Sequence, residues 1–509
     1  MLNKLLSLYL AQLLKVVLPL LFIPLIINLV GIEQYGLVSF LMLFISLLGL
    51  IDAGISGGMV RLISTTKDNL ILSQNALSIW STVLAFVVFL SSLIVFFFYT
   101  ASDFLSLYWI KSDLDDSFLK KCLNIIGVIT ALTFIKGYLV SKVVGYEKHV
   151  HLSVWQIFIL ASQYVLSYVA LIYINKSIDI YLYSVAVFTL IDCIVVVILG
   201  ALFSYKNNSY LLQSAEFSNK SIGKFPEIGM KQFLANSVSL SSLTILWTIA
   251  SQADKIILSS SVDIEEFSYY QIAAQVSLCI NLLIMPLNQY LMPRLSNMYV
   301  AGQTDLFTKK WFCFLFYFSS ILAFFSPLYI FYGQSVIELW LGDKMLSENV
   351  NNILRWLFFS AIFQAVSNFF FIYYYATNNL NKQFFAYLIY CILTLPCIYF
   401  IALFYGAEGC AIFVMFASFF FLIVWGGFSV RYYIGFFQYR LLTYVVVLFF
   451  VSLVILYTVD RLFSDDENSI LLLSIVLVLY GSFVFSLVKM KKRVHNFLIG
   501  RHCTRWQSS

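Results

Sequence analysis

Apolar runs of about twenty residues, separated by short polar breaks, follow one another along almost the whole chain. A helix of this length crosses the hydrocarbon core of a bilayer. Because backbone polar groups in lipid must be paired internally, such uninterrupted runs form helices. Fourteen membrane-spanning helices are predicted, at residues 5 to 30, 36 to 60, 76 to 99, 119 to 141, 152 to 174, 180 to 203, 233 to 259, 268 to 291, 311 to 332, 353 to 375, 384 to 404, 408 to 430, 441 to 458 and 469 to 488.

The composition agrees with a membrane protein. Apolar residues make up 61% of the 509 positions and charged residues 11%, which is too little polar surface for soluble domains. The predicted fold is therefore all-α, a polytopic membrane protein. The net charge of +6 is explained by basic loops and a basic tail, and no nucleic-acid partner is expected. The eight cysteines stand singly and are interpreted as small apolar residues.

The longest polar connection, residues 204 to 231, follows the sixth predicted span and divides the chain into two six-helix lobes. The predicted organisation is an N-lobe at 1–205, a cytoplasmic inter-lobe loop at 206–231, a C-lobe at 232–431, spans thirteen and fourteen at 432–488 and a basic cytoplasmic tail at 489–509.

Basic residues predict the orientation. With the N-terminus inside, 21 lysines and arginines fall on the cytoplasmic side and 7 on the opposite side. Because cytoplasmic loops carry the excess of Lys and Arg, both termini are predicted to be cytoplasmic. Three lysines, Lys15, Lys136 and Lys255, are left within spans.

A weak internal repeat supports the two lobes. Ile32-Glu33-Gln34-Tyr35 precedes span two, and Ile264-Glu265-Glu266-Phe267 precedes span eight, 232 residues later. The two spans end at Arg61 and Arg294, which are 233 residues apart. Duplicated lobes around a central site are a common plan among transporters.

The second predicted span is unusual because it contains a carboxylate, Asp52. A polar turn from Glu33 to Gly36 is predicted before it. Gly49, Ala53 and Gly57 recur every four residues, a spacing that predicts close approach of a neighbouring helix in lipid.

Four short motifs carry a resemblance to a known family. They are Gly31-Ile32-Glu33-Gln34-Tyr35-Gly36, Asp52-Ala53-Gly54, the segment from Phe225 to Asn236, and Ala253-Asp254-Lys255-Ile256-Ile257-Leu258. They resemble those of bacterial polysaccharide flippases. These are the O-antigen and capsule repeat-unit translocases of the multidrug/oligosaccharidyl-lipid/polysaccharide exporter superfamily.

The resemblance implies two six-helix lobes around a central cavity and two extra C-terminal helices. It also implies transport of an undecaprenyl-pyrophosphate-linked oligosaccharide from the cytoplasmic to the periplasmic leaflet of a bacterial inner membrane. The partners would be this lipid-linked substrate, membrane lipid and other polysaccharide-assembly proteins. No cofactor is expected, and two energy sources fit: coupling to H⁺ or Na⁺, or consumption of the product on the far side.

Transport of a pyrophosphate calls for cations in a water-filled cavity, and ionisable residues within spans usually face such interiors. Lys15 and Asp52 both lie about 13 to 17 Å from the cytoplasmic ends of their helices, at ~1.5 Å per residue. We predict that they pair, either as cavity-lining substrate contacts or as a buried structural ion pair.

Arg61 and Arg294 close the two repeated spans at the cytoplasmic face. A guanidinium there can bind an incoming pyrophosphate through two hydrogen bonds, although ordinary topological anchors have the same position. Asp254 and Lys255 are neighbours near the outer end of span seven and are candidate cavity residues. Lys136 and Asp192 are charges in spans four and six that either couple transport or pair structurally.

Two other classes of membrane protein are alternatives. An ion-coupled drug/cation antiporter of the same superfamily would favour acidic cavity residues. A membrane glycan polymerase or acyltransferase would need a sizeable outer loop, and the longest outer stretches, 100 to 118 and 333 to 352, are short. No P-loop of the form G-x-x-x-x-G-K-[ST] occurs. The chain is not predicted to be an enzyme, and no catalytic or metal-binding residue is assigned.

Overall fold

The computed structural model describes residues 2–67, 70–216, 230–434, 447, 449–454 and 456–457. Within these ranges, side chains are described except at 2–13, 50–54, 65, 70–72, 210–216, 230–245, 282, 286, 289 and 429–434. The described chain is a succession of long helices. They are α1 Leu2–Val30, α2 Ile32–Thr66, α3 Leu70–Phe104, α4 Asp116–Gly145, α5 His149–Tyr173, α6 Ile178–Glu216, α7 Met230–Ser261, α8 Ile264–Val300, α9 Thr304–Leu341, α10 Lys344–Ala376 and α11 Leu380–Ile434.

The first twelve predicted spans are confirmed as helices. Each of α1 to α10 contains one of these spans. α11 contains two, because it consists of two helices that meet at Gly406 with φ 62° and ψ −153°. Span thirteen falls partly within the described residues, and span fourteen lies outside them. Among the described residues, nine helical stretches are long and apolar enough to cross a membrane. The chain is a multi-pass helical membrane protein.

The polar turn predicted at Glu33 to Gly36 is wrong. α2 already begins at Ile32, and the chain reverses at Gly31 alone, whose φ of 84° is readily adopted only by glycine. Glu33 lies in the first helical turn, where a carboxylate is favoured by the positive end of the helix dipole.

The connections are short, and their polar residues hold the helix ends. A π-helical turn, Leu105–Trp109, follows α3, and Asp115 caps α4 by accepting a hydrogen bond from the Phe118 amide at 3.3 Å. The Ser117 hydroxyl and this amide hold the pKa of Asp115 below its usual value. α6 continues to Glu216, well into the predicted inter-lobe loop, so the lobe boundaries stay a prediction.

Two compact units can be distinguished: Met1–Leu282 with Phe384–Phe413, called unit 1, and Leu283–Gln383 with Val414–Ser509, called unit 2. In unit 1, α4 packs against α2, α3 and α6, and α1 packs against α5. In unit 2, α9 packs against α10, and the buried Trp311 donates from Nε1 to the Phe369 carbonyl at 2.8 Å.

The core of unit 1 near the ends of α2 and α4 is aromatic and tightly packed. Tyr138 is fully buried, stacks on Trp80 and donates its hydroxyl to the Trp80 carbonyl at 2.8 Å. Gly145 brings α4 against α2, because a Cβ there would stand 2.7 Å from Ile63. This packing fixes α4, which carries the side chains of Lys136 and Lys142.

Candidate functional site

The predicted pair of intramembrane charges in α4 and α6 is in contact. Lys136 Nζ lies 3.4 Å from Asp192 Oδ2, with the lysine side chain 31% and the aspartate side chain 6% exposed. Trp155 of α5 donates from Nε1 to Asp192 Oδ1 at 2.8 Å. Asp192 is therefore a buried carboxylate with both oxygens occupied, which is the condition for a charge to persist in an apolar interior.

A second lysine reaches the same helices. Lys15 of α1 is exposed and donates from Nζ to Gln156 Oε1 of α5 at 2.6 Å. Gln156 follows Trp155 in the chain, and Trp155 donates to Asp192. We call these five residues, Lys15, Lys136, Trp155, Gln156 and Asp192, the central polar cluster. They come from four helices of unit 1 and carry two positive charges and one negative charge.

The predicted pairing of Lys15 with Asp52 lies outside the described residues, because the side chain at position 52 is not described although α2 runs through it. The described contact of Lys15 is with α5. The close approach predicted for Gly49 and Gly57 is wrong for the part of the chain that the structure describes: a Cβ at either position would meet no described atom within 4 Å. Hydropathy and spacing identify small residues but do not say which face of a helix meets a neighbour.

Asp254 and Lys255 of α7 form a buried group with α8. Lys255 Nζ lies 3.5 Å from Asp254 Oδ1 and donates to the Ser251 carbonyl at 2.8 Å. The Tyr270 hydroxyl donates to Asp254 Oδ2. The two neighbouring charges thus meet each other, because the long lysine side chain turns back along the helix.

The two predicted arginine contacts are in different units. Arg61, near the end of α2 in unit 1, is exposed, and its carbonyl accepts a hydrogen bond from the Ser64 hydroxyl at 3.0 Å. Arg294 of α8, in unit 2, lies with its guanidinium carbon 3.9 Å from the centre of the Tyr290 ring.

The repeated motifs before spans two and eight meet in unit 1. A Cβ on Gly36 would stand 2.3 Å from Ile264 Cγ1 and 2.8 Å from Ser268 Oγ, and the rings of Phe40 and Phe267 are 5.3 Å apart. α2 and α8 therefore touch at the ends where both begin.

A short segment, residues 109–113, joins these helices; we call it the strap. Lys111 donates from Nζ to the Ser261 carbonyl at 2.7 Å and accepts at its own carbonyl from the Ile264 amide at 2.9 Å. The Asp113 amide donates to Glu33 Oε1 at 2.7 Å. The strap thus holds the beginnings of α2 and α8 at one end of unit 1.

Sequence reasoning missed Trp155 and Gln156 because it searched the spans for ionisable residues only. An uncharged amide within an apolar run, Gln156, was the available signal. It named Glu266 only as part of the repeat before span eight and missed its role. Glu266 accepts from the Ala407 amide at 2.6 Å and so caps the second half of α11 across a long sequence separation.

The fold is shared with solved transporters. A lipid II flippase MurJ in an inward closed conformation superposes with a TM-score of 0.66 at 15% identity, covering 95% of this chain and 99% of that chain. An inward-facing multidrug resistance MATE family transporter of the MOP superfamily superposes with a TM-score of 0.55 at 13% identity, covering 84% and 94%. An outward-facing MATE family transporter gives 0.52 at 12% identity, with the same coverage.

No curated protein matches the sequence. Residues 1–299, more than half of the chain, match the family described as polysaccharide biosynthesis protein. The chain belongs to the polysaccharide biosynthesis protein family.

Proposed function

We propose that the chain is a flippase that moves undecaprenyl-pyrophosphate-linked oligosaccharide repeat units from the cytoplasmic to the periplasmic leaflet of a bacterial inner membrane by alternating access. The observation that carries the proposal is Lys15, a cation within a membrane helix that is exposed and hydrogen-bonded to a neutral amide. A lysine that faces hydrocarbon at this depth is costly. Lys15 therefore faces a water-filled interior.

The central polar cluster suits a pyrophosphate. Asp192 is occupied by Lys136 and Trp155, whereas the described contact of the Lys15 ammonium is with an uncharged partner. An arriving phosphate oxygen replaces the Gln156 oxygen and gains a charge-assisted hydrogen bond, which is about twice as strong as a neutral one. Lys136, with a side chain 31% exposed, supplies the second cation.

The remaining predicted residues have roles in the same proposal. Arg61 and Arg294 receive the pyrophosphate at the cytoplasmic ends of their helices, and Asp52 is a candidate to pair with Lys15 when Lys15 exchanges partners during transport. Asp254 and Lys255 line the path, and the Asp254 carboxylate is a candidate for coupling to H⁺ or Na⁺. Both termini are cytoplasmic, and membrane lipid and other polysaccharide-assembly proteins are the partners.

The decisive experiment is complementation in the native host. With the gene deleted, lipid-linked repeat units accumulate in the cytoplasmic leaflet, and the wild-type gene restores export. Lys15→Met is expected to lower export at least tenfold, because a lost charge-assisted hydrogen bond is worth roughly 1.5–3 kcal/mol. Lys176→Met removes an exposed lysine outside the cluster and is the matched control.

Membrane levels of each variant are measured together with surface glycan and lipid-linked intermediates. Full export by both Lys15→Met and Lys136→Met would contradict the proposed site. Accumulation of repeat units in the outer leaflet of the deletion strain would indicate a polymerase.

A second candidate is a drug/cation antiporter, favoured by the buried Asp254 with its Tyr270 hydrogen bond. In that case Asp254→Asn would abolish cation efflux from vesicles and leave glycan export unchanged. The flippase proposal expects the deletion strain to lose surface glycan without gaining drug sensitivity.

A further inference from the structure

A cavity of 470 Å³ lies at the end of unit 1 where α3 begins and α4 ends. It is separate from the central polar cluster. Its described lining, from α3, α4 and α6, holds one cation and no carboxylate: Gln74, Lys142, Ala201, Ser204, Tyr205, Asn208 and Ser209. The volume is in the range of ligand sites, roughly 300–1,000 Å³.

Lys142 is held in place by apolar contacts. Its Nζ stands 4.3 Å above the centre of the Trp80 ring. Its side-chain carbons pass α6 at Gly200, where a Cβ would stand 3.3 Å from Lys142 Cδ. At this end of the unit the nearby carboxylate, Glu147, is paired with Lys67 at 2.6 Å. The ammonium of Lys142 is thus positioned without a carboxylate in the cavity lining.

The neighbouring polar side chains, Asn208 and Ser204, each keep a hydrogen-bond donor for a ligand. Asn208 Oδ1 accepts from the Ser73 hydroxyl at 3.2 Å, which leaves the amide NH₂ of Asn208 to donate. Ser204 Oγ accepts from the Tyr146 hydroxyl at 3.3 Å, which leaves the Ser204 proton to donate. One ammonium, one amide and one hydroxyl form a donor set that suits phosphate oxygens.

An exposed apolar stripe leads away from the cavity along α6. Ile194, Ile198 and Leu202 recur every four residues and are 52%, 51% and 58% exposed, so they lie on one face of the helix. This face offers acyl chains a path toward the middle of the membrane. A ligand with both a phosphate and hydrocarbon chains fits the cavity and the stripe together.

We propose that this cavity binds an anionic phospholipid of the adjacent leaflet, with its phosphate on Lys142, Asn208 and Ser204 and its acyl chains along α6. The excess of Lys and Arg at this end predicts that the leaflet is the cytoplasmic one. The site is independent of the proposed transport activity.

The test measures lipid retention by native mass spectrometry of the purified full-length chain in detergent, titrated with dioleoyl-phosphatidylglycerol. Lys142→Met is expected to weaken retention about tenfold, and Lys142→Arg to keep most of it, since loss of one charge-assisted hydrogen bond is worth about this factor. Lys206→Gln, an exposed lysine outside the lining, removes the same charge and should leave retention unchanged. Asn208→Leu should weaken retention by a smaller factor. If Lys142→Met fails to fold, Asn208→Leu takes its place as the test of whether the cavity binds the lipid.

Three results would overturn the proposal. Retention equally weakened by Lys206→Gln would mean surface charge alone, and unchanged retention in Lys142→Met and Asn208→Leu would mean that the cavity is not the site. Dioleoylglycerol retained as well as the phospholipid would exclude recognition of the phosphate. A separate arm adds millimolar glycerol phosphate; if it displaces the lipid from the wild-type chain at equal concentration, the ligand is a soluble phosphate instead.

Discussion

Asp192 illustrates how a single buried charge depends on its neighbours. Its side chain is 6% exposed, against 31% for Lys136. The cost in stability therefore depends on which of the two partners is removed. Removal of Lys136 leaves a buried anion with only the Trp155 hydrogen bond. Removal of the Asp192 charge leaves a lysine that still reaches water.

Lys136→Met is therefore expected to lower the free energy of unfolding by about 3–5 kcal/mol, as when a buried pair loses one partner. Asp192→Asn keeps an acceptor for Trp155 and should cost about 1 kcal/mol. The double variant should recover most of the loss. Equilibrium unfolding in denaturing detergent measures all three, and equal losses in the two single variants would contradict this asymmetry.

At the scale of helices, contact between α2 and α8 depends on a glycine that hydropathy alone does not distinguish from its neighbours. Gly36 has Ile264 and Ser268 at the position of a missing Cβ, whereas Gly57 on the same helix has no described atom within 4 Å of that position. A side chain is therefore excluded at Gly36 but would be accommodated at Gly57.

Gly36→Ala should lower the free energy of unfolding by about 1–3 kcal/mol, because the added methyl group overpacks the contact. Gly57→Ala should be neutral or stabilise by up to about 1 kcal/mol, since alanine favours helix more than glycine does. Thermal unfolding of the two purified variants compares them directly. A Gly57→Ala variant that is the less stable of the two would show that the α2–α8 contact is not as described.

At the scale of the molecule, the proposed flippase would work by alternating access, and the strap would then have to release when the chain opens on the side where the strap lies. The strap joins the beginning of α2 to the turn between α7 and α8, through Glu33, Lys111 and Asp263. These residues belong to the side that charge distribution predicts to be periplasmic. If the proposed transport toward that side takes place, these residues must separate.

A disulfide between Lys111→Cys and Asp263→Cys should arrest transport. The two residues form a parallel backbone bridge, which places their backbones about 5 Å apart, within reach of a disulfide. In a background without the native cysteines, glycan export is expected to fall under oxidation and to return with reductant, while each single cysteine variant exports normally. Undiminished export with the cross-link formed would show that the strap does not open during transport.

Prediction from sequence succeeded for features that are local. The twelve spans from residue 5 to residue 430 coincide with described helices, and the charges within them were identified from depth alone. It failed at Glu33 to Gly36, where a polar segment indicated a turn but Gly31 alone reverses the chain. It also failed at Gly49 and Gly57, where spacing indicated contact and the space is open.

The amino-acid sequence by itself determined that the chain spans the membrane repeatedly as helices, because a lipid solvent forces every long apolar run to satisfy its backbone internally. It also determined which charges lie within the spans. Only the tertiary structure decided what those charges meet: Lys136 contacts Asp192, which also accepts from Trp155, and Lys15 contacts Gln156. It also decided that Gly36 meets Ile264. Such contacts join residues far apart in the chain and depend on the rotation and depth of each helix. Side-chain packing sets this rotation and depth, and an average of hydropathy along the chain does not record them.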